Sequence, residues 1–235
     1  MRIVMKISGE ALKNGDNLSS SMLERILDNV LSLEPSNNEL ILVIGGGNFW
    51  RGRNGLDISN SISDQIGMLG SMMNAMAICD YLNKNSIASS IYCAYGIDGV
   101  VPKYDYYSIL EDLSNKKIVV LGGGLGVPNF STDMVTVEKA VEYSCNMIIM
   151  GKNIDGIYDK DPSAIDAKKI DFMTHKELLD NQIKEGIDKQ GVMDFEAICT
   201  LCKYKIPLYV YDLKEKKGLK DFINKKYSGT IVKTD

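Results

Sequence analysis

The sequence predicts an α/β protein, a three-layer αβα sandwich with a mainly parallel central sheet. Three observations carry that expectation. Short apolar runs of strand length alternate with stretches whose apolar residues recur every three or four positions. Most of these runs are almost wholly apolar, the pattern of strands covered on both faces. Several of them end in glycine, where a strand gives way to a loop.

The elements follow in order. "RIVMKI" (2–7) is a short buried strand, broken by "SGE". Between Ser19 and Leu33, the residues Met22, Ile26, Val30 and Leu33 share one helix face, with Ser19 or Ser20 as N-cap. "ELILVI" (39–44) is a second strand and runs into three glycines. Residues 61–83 form a long helix whose apolar face reads Ile62, Ile66, Leu69, Met73, Met76 and Leu82, with its methionines as core filler. Strands at 87–95 and 117–124 flank a short helix at 106–113. A helix at 132–144 leads to the strand "NMIIM" (146–150). "GKNIDGIYDKDP" (151–162) reads as a small hairpin or loop excursion. Helices at 174–184 and 192–204, a strand at 206–213, a helix at 217–224 and a strand at 229–232 complete the chain. No linker or repeat divides it, so one domain spanning 1–235 is expected.

Composition narrows the function classes. The 235 residues are 45% hydrophobic and 25% charged, ordinary for a soluble domain. A net charge of −4 argues against a surface that coats nucleic acid. No apolar run reaches membrane-span length, and Lys6 interrupts the first one, so neither a membrane anchor nor a signal peptide is expected. Five cysteines, an odd number, read as reduced thiols of a cytoplasmic protein. Cys199 and Cys202 form a CxxC without a second pair or a nearby histidine, so no metal site is expected. The single histidine, His175, reads as a surface helix residue far from every motif, which disfavours a mechanism built on histidine.

Ligands of parallel sheets sit beyond the carboxyl ends of the strands. Four such ends carry glycine here: Gly9, Gly45–Gly47, Gly122–Gly124 with Gly126, and Gly151. Exposed backbone N–H groups beside lysine or arginine make an anion site, and phosphate is the commonest anion. The P-loop pattern and GxGxxG are both absent. Lys6 lies between Met5 and Ile7 in a buried strand and therefore needs a partner. Phe49 and Trp50 read as packing.

Four motifs in order carry a more specific signal: "KISGEAL" (6–12), "GGGNFWRG" (45–52), "GGGLGVPNFSTD" (122–133) and "GKNIDGIYDKDP" (151–162). Together with "DQIGMLGSMMNAMA" (64–77), "GVMDFEA" and "KIPLYVYD", they resemble the amino acid kinase superfamily, and within it the bacterial-type uridylate (UMP) kinases. The resemblance covers essentially the whole chain. It implies an amino acid kinase-like fold, with an N-terminal part mainly for the acceptor nucleotide and a C-terminal part mainly for ATP. The implied reaction is phosphoryl transfer from ATP to UMP, with Mg²⁺ carried by the ATP, in a homohexamer.

The resemblance also implies roles. Lys6 contacts the transferring phosphoryl group, Asp133 orients that lysine, and Arg51 steadies phosphate charge. Ile7, Ser8, Gly9 and Gly47 line the ATP phosphates. Lys152 lies near phosphate, and Tyr158 and Asp161 near the ATP nucleoside. Gly46 lies against the UMP phosphate and Asp64 against its ribose. The loop Leu125, Gly126, Val127, Pro128, Asn129, Phe130, Ser131 and Thr132 receives the acceptor nucleoside. Leu125 and Val127 replace positions that are usually polar in the family. A superfamily kinase for another acid, or an idle binding member of the fold, is the alternative. Arg51 and Asp64 favour a nucleotide acceptor, and Lys6, Arg51, Asp133 and Lys152 together favour catalysis.

Overall fold

A computed structural model describes residues 1–13, 18–50, 57–187, 191–215, 219 and 228–234. Its strands are β1 (Arg2–Ile7), β2 (Glu39–Ile44), β3 (Ser89–Cys93), β4 (Ile118–Gly122), β5 (Met147–Lys152), β6 (Ile157–Tyr158), β7 (Lys169–Ile170), β8 (Phe172–Met173), β9 (Leu208–Asp212) and β10 (Thr230–Val232). Its helices are α1 (Ser20–Ser32), α2 (Asn60–Lys84), α3 (Tyr106–Ser114), α4 (Thr132–Glu142), α5 (His175–Glu185) and α6 (Phe195–Tyr204). A 3₁₀ turn, Gly9–Leu12, follows β1.

Eight strands form one sheet in the order β3-β4-β2-β1-β5-β9-β10-β8. All neighbours are parallel except β9 and β10, which are antiparallel. The expected α/β sandwich with a mainly parallel sheet is therefore present. β1 is central: Lys6 is in register with Val43 of β2 and with Met150 of β5.

Alternate side chains of β1 enter opposite layers, as a period of two requires. Ile3, Met5 and Ile7 pack with Met22 and Ile26 of α1 and Ala75 and Ile78 of α2. Val4 packs with Val135 and Val137 of α4 and Ala197 and Ile198 of α6. Lys6 shares the face of Val4, so its side chain points toward α4. That parity places a cation under the first turn of α4.

Local rules account for the helix starts. Ser19, Ser59, Asp105, Ser131 and Asp194 each cap a helix with a side-chain oxygen that accepts from a backbone N–H. Thr174 and Glu177 form a capping box at α5. β5 runs two residues past its expected end, so Lys152 is strand-borne. The excursion after it closes farther on, through pairing of β6 with β7. The helix expected at 217–224 lies outside the described residues except for Leu219, which is buried.

Two expectations are corrected. In α2 the stripe Ile62, Leu69, Met73 and Met76 is exposed, with Leu69 50% and Met73 55% accessible. The buried face contains Gly70, Ser71, Asn74, Ala75, Ile78 and Leu82. Small and polar residues face inward there because the glycine turn after β2 comes against this helix and requires both space and hydrogen bonds. His175 is not a surface residue: it is 4% exposed, with its ring nitrogens on Thr234 Oγ1 (2.6 Å) and the Ile206 carbonyl oxygen (2.9 Å). Its role remains structural, holding the end of β10 to the loop before β9.

Candidate functional site

The first glycine triplet is packed by the protein's own backbone. A Cβ on Gly46 would overlap the Gly67 carbonyl oxygen and come 2.7 Å from Ser71 N, both in α2. A Cβ on Gly45 would sit 2.8 Å from Gly9 N, and one on Gly9 would overlap Gly47 N. The "SG" and "GGG" turns therefore interlock, and both press on α2. Ser71 Oγ donates to the Ile44 carbonyl (2.8 Å) and accepts from Gly123 N (2.9 Å). Asn74 Nδ2 donates to the Gly45 carbonyl (2.7 Å), and Asn48 and Asn74 exchange amide bonds of 3.0 and 2.7 Å. This buried polar lattice is fully engaged, so it fixes the turn rather than weakening the interior. The second triplet differs: Gly123 and Gly124 have φ of +78° and +62°, a backbone that favours glycine.

Lys6, Asp133 and Lys152 meet where these turns converge. Lys6 Nζ donates to one oxygen of Asp133. Lys152 Nζ donates to the other at 3.1 Å and also to the Val192 carbonyl. Lys6, 7% exposed, thus has the partner its place in a buried strand demands. Burial pushes the Asp133 carboxyl upward, but Lys6 and then Lys152 outweigh it and hold the pKa below the ordinary value. Burial and then the charge of Lys6 push Lys152 down to about 8, against the pull of Asp133. Two ammoniums on one carboxylate leave a net positive centre, suited to a more strongly charged anion.

Two cavities approach this centre, one through Thr132, the neighbour of Asp133, and the other through Lys152. One, about 180 Å³, is lined by Gly46, Gly47, Trp50, Asp64, Gly67, Gly124, Val127, Phe130, Ser131 and Thr132, among others. The other, about 730 Å³, is lined by Lys152, Ile157, Tyr158, Asp161, Met173, Leu178, Asn181, Gln182 and Val192, among others. Most of the sequence-derived acceptor residues thus share one cavity, and the donor residues Lys152, Tyr158 and Asp161 share the second.

The remaining candidates are placed as follows. Asp64 Oδ2 accepts from Asn129 N at 2.7 Å, joining α2 to the loop 125–132. Asn129 has φ +69°, and the Gly126 carbonyl accepts from Tyr95 Oη. Leu125 packs against the core, and Pro128 does not line the cavity. The Ile7 side chain is buried in the layer opposite Lys6, so only its backbone is available to a ligand. Ser8 N–H donates to the Gly151 carbonyl at 3.3 Å, which removes one expected phosphate donor. Tyr158 Oη donates to Asp155 (2.8 Å), and Asp161 caps the turn at Ser163. Trp50 lines the small cavity while donating to Ser63 Oγ at 2.9 Å, so it is more than packing. Arg51 lies outside the described residues.

Sequence reasoning missed Ser71, Asn74, Val192 and Asp194. Asn74 was visible as a polar residue within "SMMNAMA", and Asp194 as an N-cap signal ahead of "FEAI". Val192 acts through its carbonyl, which leaves no mark in a sequence.

Residues 1–212 match the model of the amino acid kinase family. The chain belongs to that family. This amino acid kinase chain is 34% identical over 240 residues to a uridylate kinase of Deinococcus radiodurans, spanning 99% of this chain and 95% of that protein. It is also 34% identical over 236 residues to a uridylate kinase of Legionella pneumophila, spanning 98% and 93%. Among solved structures, the UMP kinase from Ureaplasma parvum superposes with a TM-score of 0.89 at 28% identity, covering 99% of this chain and 98% of that one. The UMP kinase from Bacillus anthracis gives a TM-score of 0.90 at 27% identity, covering 100% and 96%. The structural likeness to these two kinases covers nearly the whole of this chain.

Proposed function

We propose that the chain transfers the γ-phosphoryl group of ATP to UMP, giving ADP and UDP, a step of pyrimidine nucleotide biosynthesis. The observation that carries this reading is the Lys6–Asp133–Lys152 centre between two cavities, in a chain whose relatives are uridylate kinases along nearly their full length.

The UMP phosphate is already an anion near neutral pH, so attack on the γ-phosphorus needs positioning and charge neutralisation rather than a general base. Lys6 bridges toward the transferring group from the end of β1, held by Asp133. Lys152 faces the ATP phosphates from the end of β5. Gly46 and Gly47 line the approach of the two phosphates, Arg51 balances their charge, and Asp64 bonds the acceptor ribose. The loop Leu125–Thr132 receives the uracil end, and Tyr158 and Asp161 lie at the ATP nucleoside.

Both Asp133 oxygens are engaged by lysine, and among the described residues no group of three or more His, Cys, Asp or Glu could hold a metal. This donor set fits a Mg²⁺ held by the ATP phosphates rather than by protein ligands. Bound there, Mg²⁺ supplies charge neutralisation on the phosphate oxygens.

One domain carries both sites, the N-terminal part mainly for UMP and the C-terminal part mainly for ATP. The exposed apolar stripe of α2 supports a homo-oligomer, a homohexamer by the family resemblance. All five cysteines are free, and no described helix is long and apolar enough to cross a membrane; work in the cytoplasm is part of the proposal.

The test is ADP release with UMP, CMP, dTMP and GMP as acceptors. UMP is expected to be preferred. A different preferred acceptor overturns the substrate, and no turnover with any nucleotide overturns the kinase reading.

A further inference from the structure

The acceptor loop is anchored at three points. Two tie it to the N-terminal half: the Gly126 carbonyl accepts from Tyr95, and Asn129 N donates to Asp64. The third crosses to the other half, where Ser131 Oγ donates to Asp194 Oδ2. Each of these two side chains is also a helix cap. Ser131 accepts from Met134 N at 3.1 Å at the start of α4, and Asp194 accepts from Ala197 N at 2.9 Å at the start of α6.

Their neighbours are the charged centre. Asp133, two residues after Ser131, holds Lys6 and Lys152. Val192, two residues before Asp194, gives its carbonyl to Lys152 and lines the larger cavity. Ser131 lines the smaller one. A single charge-assisted bond thus joins the wall of one cavity to the segment that orients the lysine of the other.

We propose that Asp194 is a positioning residue that acts through Ser131, setting the acceptor loop against the Lys152-bearing segment so that filling one cavity favours filling the other. The inference rests on the phosphotransfer reading above. A loop free to shift by about 1 Å loses the alignment of acceptor oxygen and γ-phosphorus, which lowers turnover by roughly a hundredfold at the extreme. The bond also transmits coupling: a loop ordered by UMP holds Asp194, and with it Val192, in the place Lys152 requires.

The test uses substitutions that keep the caps. Asp194→Ser retains a capping oxygen but is too short to reach Ser131, and Ser131→Gly removes the hydroxyl at small loss of cap strength. Each is expected to lower kcat/KM for UMP about tenfold. The double variant is expected to lose about tenfold as well, since both changes break one bond. In the parent protein, UMP is expected to tighten binding of a non-hydrolysable ATP analogue several-fold, and in either variant that tightening disappears. Asp194→Glu, which can still reach Ser131, is expected to restore part of it. Losses that multiply to about a hundredfold in the double variant, or coupling unchanged in the single ones, overturn the role of Asp194 while leaving the UMP kinase reading intact. A parent protein that does not phosphorylate UMP overturns both.

Discussion

Replacing Asp133 by asparagine removes the carboxylate that Lys6 and Lys152 share. Lys6 is 7% exposed and its Nζ donates to Asp133, while Lys152 keeps the Val192 carbonyl. Removing one partner of a buried ion pair typically costs about 3–5 kcal/mol. Asparagine retains one acceptor oxygen, and the flanking cavities admit water, so about 3 kcal/mol is expected. In a chain of 235 residues that lowers Tm by roughly 10 °C. Turnover is expected to fall by about 10²–10³, the scale for loss of one preorganised electrostatic group. A second substitution separates the two effects. Adding Lys6→Met to Asp133→Asn removes one unpaired ammonium, so stability recovers in part while activity does not. Denaturant unfolding and steady-state kinetics on the three proteins measure this. An Asp133→Asn protein within about 1 kcal/mol of the parent, or a double variant destabilised by the sum of the single changes, refutes the reasoning.

Further outcomes follow from the same geometry. The Lys152 pKa of about 8 lies below the ~10.4 of free lysine, so between those values the unfolded chain holds more protons and stability rises with pH; below 8 the full burial penalty is present. Unfolding free energy measured from pH 7.5 to 10.5 is expected to lose this rise in Lys152→Met. Asp133 gives the same sign in an acid window: its depressed pKa contributes stability that is present above the unfolded value and lost as acid protonates the folded carboxyl. Gly46→Ala is expected to destabilise the nucleotide-free protein by about 3 kcal/mol, because its Cβ meets backbone atoms of α2. Unchanged stability in urea would show that the glycine serves only a ligand. Leu69→Glu with Met73→Glu, on the exposed stripe of α2, is expected to shift light-scattering mass toward the protomer without unfolding it; an unchanged mass removes α2 from the interface.

The fold was legible because buried parallel strands leave continuous apolar runs, as β2 and β4 do, with β1 broken only by Lys6. The site was legible in part. Lys6 announced a missing partner, since a lysine between Met5 and Ile7 cannot remain unpaired in the interior, but periodicity could not locate that partner in Asp133. Family resemblance supplied it. α2 misled because helical spacing of apolar residues does not mark the buried face when the inner side must leave room and hydrogen bonds for a neighbouring turn. Its exposed side carries leucine and methionine, and its inner side carries Gly70, Ser71 and Asn74 to meet a glycine turn. His175 misled for a related reason: its two hydrogen bonds come from Ile206 and Thr234, distant in sequence. The glycine triplets looked alike in sequence, yet Gly46 provides room for α2 while Gly123 and Gly124 provide positive φ.

In the proposed reaction, phosphoryl transfer occurs at the Lys6–Asp133–Lys152 centre, with UMP in the smaller cavity and ATP in the larger. The most direct measurement is a crystal structure with UMP and a non-hydrolysable ATP analogue bound together. The UMP phosphate is expected beside Gly46 and Gly47, the ATP analogue in the cavity of Tyr158 and Asp161, and Lys6 Nζ within hydrogen-bond distance of the γ-phosphate. Both nucleotides bound away from these cavities, or Lys6 still directed only at Asp133 with no phosphate in reach, would contradict it.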